Sequence, residues 1–155
     1  MSLTLDLVPV ETSERNTFME MAEQHFRELN PKFRPAHDWK TSYFKNIHGN
    51  RNYSLCWIVV RGQRAGFILY GVEDHRFLPR KTGAIYELYV IPQQRRKGIA
   101  RACAESVIKE LWKLSPSKIQ LEVVENNRAA MELWKSLGFR RATERLVLID
   151  TRAAK

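Results

Sequence analysis

The stretch from Ile85 to Ala104, IYELYVIPQQRRKGIARACA, constrains this chain more than any other. Ile85, Tyr86, Leu88, Tyr89 and Val90 are β-branched, aromatic or aliphatic, which predicts a strand. Pro92 has no N–H to give a ladder and ends it. Arg95 to Ala100 then leads into an amphipathic helix with Ile99, Cys103, Val107, Leu111 and Leu114 on one stripe. A helix N-terminus leaves backbone N–H groups unpaired and carries partial positive charge. Gly98 lets a ligand approach that backbone closely, and Arg95, Arg96, Lys97 and Arg101 surround it with cations. This is the chemistry of a phosphate or pyrophosphate cradle. A solvated basic loop is the competing reading. The order of glycine and lysine fits neither a Walker loop nor a three-glycine dinucleotide fingerprint.

The pattern R-x-x-G-x-A after a strand ending in ELYVIP resembles the acyl-CoA signature of the GNAT superfamily of N-acetyltransferases, Q/R-x-x-G-x-G/A. Arg95, Gly98 and Ala100 fill its fixed places. A second segment, LEVVENNRAAMELWKSLGF from Leu121 to Phe139, is similar to that family's next strand and helix. Asn127, Ala130, Leu133, Gly138 and Phe139 fall in step with it. Two motifs in the right order and at a plausible separation weigh far more than either alone. The resemblance runs from Thr82 to Phe139 and extends loosely before that.

Composition sets wider bounds. A chain of 155 residues suits one domain with one core, and a single domain over 1–155 is expected. A hydrophobic fraction of 44% excludes a disordered chain. The formal net charge of +9 points to an anionic ligand or partner without choosing one. Cys56 and Cys103 lie in apolar contexts without metal-ligand spacing, so buried reduced thiols and no metal are expected. Nothing reads as a signal peptide or a membrane span, which makes a cytoplasmic protein the default.

In chain order, alternation predicts a strand over Leu3–Val10. Thr12 or Ser13 caps a helix whose inward face carries Phe18, Met21, Ala22, His25, Phe26 and Leu29. His25 reads as a packed histidine ahead of a ligand. Residues 30–37, NPKFRPAH, form a loop, and Asp38 caps a second helix ending near Ile47, with Gly49 available for a left-handed cap. Two strands, Tyr53–Arg61 and Arg64–Val72, form a hairpin around Gly62-Gln63. The strand Thr82–Ile91 leads into the central turn and helix, which Ser115-Pro116 breaks. A strand over Lys118–Val124, a helix over Asn127–Leu137 and a final strand over Glu144–Asp150 complete the chain. The order β-α-α-β-β-β-α-β-α-β predicts an α/β fold. It matches the GNAT architecture, a mixed, centrally splayed sheet flanked by helices on both faces. That family often has a further C-terminal strand, and a homodimer in which a partner strand closes the sheet is one expectation.

The resemblance implies acetyl-CoA as co-substrate. Leu88, Tyr89 and Val90 then line the pantetheine arm, which pairs with the splayed strand like an added strand. The backbone amides of Arg96, Lys97, Gly98, Ile99, Ala100 and Arg101 hold the pyrophosphate. Gly98 is required because a side chain would block the approach. Asn127 matches a position that contacts the cofactor, and an N-cap reading is equally compatible. The first two helices and their loop border the acceptor, which makes Phe33, His37, Trp39 and Tyr43 substrate candidates beside a purely packing role. Transfer needs a neutral amine, a polarised carbonyl and a protonated leaving thiolate. Glu122, in the L-E-V stretch that supplies the base in ribosomal-protein N-terminal acetyltransferases, is one candidate base. Glu87, among apolar strand neighbours whose burial raises a carboxyl pKa, is the other. Trp134 stands where many members carry the tyrosine that protonates the thiolate. Indole is too weak an acid for that role, so Trp134 is expected to pack under the cofactor, and either the thiolate leaves unprotonated or Tyr86, Tyr89 or water supplies the proton.

These readings lead to an N-acetyltransferase acting on a primary amine of a small molecule or protein. The missing tyrosine leaves a non-catalytic acyl-CoA-binding module as the alternative. A nucleic-acid-binding domain ranks behind both, because the basic residues are scattered and no nucleic-acid motif accompanies them.

Overall fold

The computed structural model describes residues 3–154. They form two compact units, Met1–Val124 and Glu125–Lys155. The first holds a sheet of five strands in the order β1 (Asp6–Pro9), β2 (Tyr53–Val60), β3 (Gln63–Asp74), β4 (Lys81–Val90) and β5 (Lys118–Leu121). The first three pairings are antiparallel, and β4 and β5 run parallel. Each connection has a physical reason. β2 and β3 are joined at Arg61 and Gly62, both at positive φ (52° and 75°), the mirror-type turn whose twist suits a hairpin. A parallel neighbour needs a long crossover, and α3 (Ile99–Trp112) supplies it between β4 and β5.

Helices α1 (Arg15–Leu29) and α2 (Trp39–His48) cover one face of this sheet. Phe18, Met19 and Ala22 of α1 pack with Phe44 and Ile47 of α2 against Leu55, Trp57, Phe67, Leu69 and Tyr89. Each large apolar side chain removed from water here contributes about 1.5–3 kcal/mol. On the other face the predicted stripe of α3 is buried through Ile99, Cys103, Val107 and Leu111. Leu111 reaches the bare backbone of Gly83 on β4. Leu114 lies past the helix end and is exposed.

The buried thiols allow a direct check. Desolvation pushes Cys103 up to about 12 and also raises Cys56, so both stay protonated at neutral and mildly alkaline pH. The native protein is therefore expected to show no fast reaction with a thiol reagent near pH 8, and both cysteines react after denaturation. Rapid native labelling would contradict that burial.

Several local expectations are corrected. Neither Thr12 nor Ser13 caps α1: a short 3-10 turn, Thr12–Glu14, precedes it, and the Glu14 carboxylate accepts from the Glu11 N–H at 2.9 Å. Glu14 also accepts from the Trp57 indole at 3.2 Å and pairs with Arg64, tying the helix start to the sheet. The Asp38 side chain makes no capping bond, and Gly49 has φ −82°, so it is not a left-handed cap. Met19 is fully buried and Met21 only partly, so the α1 stripe is rotated from the predicted one. β5 ends at Leu121, three residues short of Val124.

The second unit holds α4 (Arg128–Ser136). Asn127 caps it, its side-chain oxygen accepting from the Ala130 N–H at 3.2 Å. Gly138, at φ 98°, follows its last turn, and the Trp134 ring meets Phe139 edge-on at 5.5 Å. The strand expected over Glu144–Asp150 does not form among the described residues. Its apolar run, Leu146 to Ile149, is continuous instead of alternating, so it needs cover on both faces. It has neither: those four side chains are 73–101% exposed.

Candidate active site

The signature turn is built by its backbone. After a 3-10 turn over Pro92–Gln94, Arg96 takes φ 62° and Gly98 φ 79°, and α3 begins at Ile99. Turns of this kind gather successive N–H groups into an anion-binding concavity, and the first amides of α3 extend it with their partial positive charge. A side chain at Gly98 would meet nothing within 4 Å. Glycine is thus required for the left-handed conformation, and the space beside it lies open, whereas the sequence suggested steric exclusion alone. Ile99 turns its side chain into the core, so it can offer only its backbone to a ligand, and Ala100 is half-buried.

The cations of the turn are not equivalent. Arg95 already has partners of its own: its Nε donates to the Val90 carbonyl at 2.8 Å and its Nη2 to Glu28 at 2.6 Å, with the guanidinium 5.4 Å from the Tyr89 ring centroid. It fastens the turn to β4 and α1. Lys97 donates to Gln94 at 3.2 Å, and Arg101 pairs with Glu105 along α3. Arg96, Lys97 and Arg101 are exposed around the turn.

Beside the turn the sheet opens. β4 and β5 pair only from Thr82↔Lys118 to Ile85↔Leu121. Beyond Ile85, β4 pairs with β3 alone, which leaves the Tyr86–Val90 edge outside the β5 ladder. A bulge marks the change: Ile85 opposes Tyr70 and Glu87 opposes Leu69, so Tyr86 is the extra residue. The bulge turns Tyr86, Glu87 and Tyr89 toward the face that carries α1 and α2. Leu88, opposite Ile68, is half-buried, and Val90, opposite Gly66, is buried.

Glu87 is tied to α1 on this face. Its Oε2 lies 2.5 Å from Nε2 of His25, in a bond joining β4 to α1, and its side chain is 23% exposed. Tyr43 on α2 feels it too. Burial first, and then the negative charge of Glu87, raise the Tyr43 phenol above its ordinary value. Tyr86 donates to Glu73, and burial and that carboxylate raise its phenol. Tyr89 donates to Glu28 at 3.4 Å and is raised by burial and by Glu28, with Arg95 opposing. All three phenols are therefore weaker acids than free tyrosine.

Three of the four predicted acceptor residues come together. Phe33 meets Trp39 at 5.2 Å, Trp39 stacks on Tyr43 at 5.5 Å, and Phe26 touches all three. Phe26 continues to His25 at 5.1 Å. His37 is exposed on the connecting loop.

A turn that gathers amides beside a splayed parallel pair narrows the families to which the chain can belong. The sequence profile of the Acetyltransferase (GNAT) family matches residues 18–139. The chain belongs to the GNAT family. It is an acyltransferase, and N-acetyl transfer is the activity of its group. The [ribosomal protein bS18]-alanine N-acetyltransferase of Escherichia coli (strain K12) is 34% identical over 110 residues, covering 71% of this chain and 70% of the relative. Two solved structures share the fold. A ribosomal-protein-alanine N-acetyltransferase from Brucella melitensis superposes with a TM-score of 0.72 at 16% identity, over 95% of this chain and 100% of that one. An aminoglycoside N-acetyltransferase in complex with CoA gives 0.70 at 15% identity, over 98% and 97%.

Three further GNAT positions fall on later segments of the chain. Glu122 is exposed one residue beyond the end of β5, not within the strand. Asn127 and Trp134 belong to the second unit, where Asn127 caps α4 and Trp134 is buried against Phe139. The pairing of His25 with Glu87 was missed in the sequence, although a signal exists. Each is a polar residue at an inward-facing position, and buried polar groups seek partners. No helix among the described residues is long and apolar enough to cross a membrane.

Proposed function

We propose that this GNAT protein transfers an acetyl group from acetyl-CoA to a primary amine by direct attack, with Glu87 taking the amine's proton. The observation that carries the reading is the opening of β4 beside the Gly98 turn, with Glu87 held on the same strand segment. The amides of residues 96–101 suit a pyrophosphate, and the edge of Leu88, Tyr89 and Val90 suits an amide-bearing pantetheine arm. Phe33, Trp39 and Tyr43 form the apolar border of the acceptor position, with His37 on the loop above. Tyr86 and Tyr89 are weaker acids than free tyrosine, so the proton for the thiolate comes from the acylated nitrogen, relayed by water, and not from either phenol. Two buried reduced thiols agree with work in the cytoplasm.

A protein N-terminus is the preferred acceptor, in view of the Escherichia coli relative; an aminoglycoside is the small-molecule comparison. Thiol release from acetyl-CoA with a short peptide beginning with alanine, and with an aminoglycoside, tests the reading. Transfer to one of them is expected. Glu87→Gln is expected to lower kcat/KM by about 100–1,000-fold, as loss of a general base does. Glu122→Gln is expected to lower it by less than about 10-fold, because Glu122 sits exposed past the strand. The reverse order of effects would assign the base to Glu122.

A further inference from the structure

We propose that His25 is the positioning residue for Glu87, fixing its carboxylate toward the acceptor. The inference rests on the reading of Glu87 as base. His25 is 6% exposed on α1, and its Nε2 lies 2.5 Å from Glu87 Oε2. Its ring is boxed by Phe67 edge-on at 5.7 Å, Tyr89 at 5.2 Å and Phe26 at 5.1 Å. A ring packed this way has little freedom to turn from its partner, so the carboxylate is held from behind. Packing alone gives no reason for histidine here. A phenylalanine would fill the space without the cost of desolvating an imidazole. The bond instead spends that cost on orienting a half-buried carboxylate.

The charged and titratable groups around the pair are few. β4 contributes Glu87 and Tyr89, α2 contributes Tyr43, and α1 contributes Glu28, which Arg95 of the signature turn neutralises. β3 offers Phe67 and Leu69, which do not titrate. With Nε2–H donating to Oε2, His25 holds one oxygen of Glu87 and leaves the other free to accept a proton. An ammonium proton passes to that free oxygen, Oε1, of the Glu87 carboxylate. The freed lone pair forms the N–C bond to the thioester carbonyl as the C–S bond breaks, its electrons leaving on sulfur. The second nitrogen proton neutralises that sulfur, and the first returns to water, so one proton is released per turnover.

The test compares His25→Phe, His25→Gln and Glu87→Gln with wild type. It uses acetyl-CoA and whichever of the alanyl peptide and the aminoglycoside the wild type acetylates, from about pH 6 to about pH 9. His25→Phe is expected to lose about 10–100-fold in kcat, with the KM for acetyl-CoA unchanged. His25→Gln keeps a hydrogen-bond donor and is expected to recover most of that rate. If Glu87→Gln is inactive while His25→Phe keeps the wild-type kcat, His25 only packs and the inference is wrong. Should His25→Phe fail to fold, a wild-type kcat in His25→Leu, which also lacks a donor, overturns it. If Glu87→Gln is as active as wild type, or the wild type acetylates neither amine, the underlying reading has failed and the inference goes with it.

Discussion

Gly66→Ala is expected to cost about 3 kcal/mol or more, lowering the thermal midpoint by roughly 6–12 °C for a chain of this size. Gly66 lies on β3 opposite Val90, and a Cβ there would stand 1.8 Å from the Tyr89 carbonyl oxygen and 2.9 Å from the Val90 Cα. Both contacts are backbone, so no side chain can move aside. β3 and β4 must part, and with them the strand that carries Glu87 and leads into the signature turn. Gly62→Ala is the control. Its φ of 75° makes alanine cost about 1–2 kcal/mol, but the site is open. Thermal and denaturant unfolding of both variants measure the difference. Equal losses would mean that the approach of the two strands at Gly66 is not as close as described.

Gly98→Glu is expected to weaken acetyl-CoA binding by at least about 100-fold, or about 2.7 kcal/mol, while leaving the fold intact. No atom lies within 4 Å of the position, so the new side chain extends into the open space beside the turn. It brings a negative charge to where the α3 amides favour an anion. Left-handed strain at φ 79° adds about 1–2 kcal/mol. Gly98→Ala separates the two effects, since it keeps the strain without the charge and should weaken binding by less than about 10-fold. Isothermal titration with acetyl-CoA reads both. Retained affinity in Gly98→Glu would place the anion elsewhere.

Much of this architecture was legible because it is local. The run from Ile85 to Val90, the stop at Pro92 and the stripe from Ile99 to Leu111 follow from propensity and periodicity, and the structure reproduces them. What depends on distant partners was not legible. Arg95 reads in sequence as one of four cations around Gly98, and nothing nearby announces its pairing with Glu28, 67 positions away. Glu87 and His25, 62 positions apart, were each read singly. The extra residue at Tyr86 came from the fit of β4 to β3, and no feature of β4 alone announces a bulge. The apolar run from Leu146 to Ile149 showed the opposite failure. Its propensity for strand is strong, but propensity without a paired and covered ladder does not make a strand.

On the proposed function, the Gly98 turn and the splayed β4 edge bind acetyl-CoA. Thermal unfolding of the wild-type protein with and without acetyl-CoA tests it most directly. A ligand that binds only the folded state adds about 2.7 kcal/mol at a hundredfold excess over Kd, which raises the midpoint by about 5–11 °C. A rise of that size, lost in Gly98→Glu, is the expected result. An unchanged midpoint at millimolar acetyl-CoA would contradict the claim.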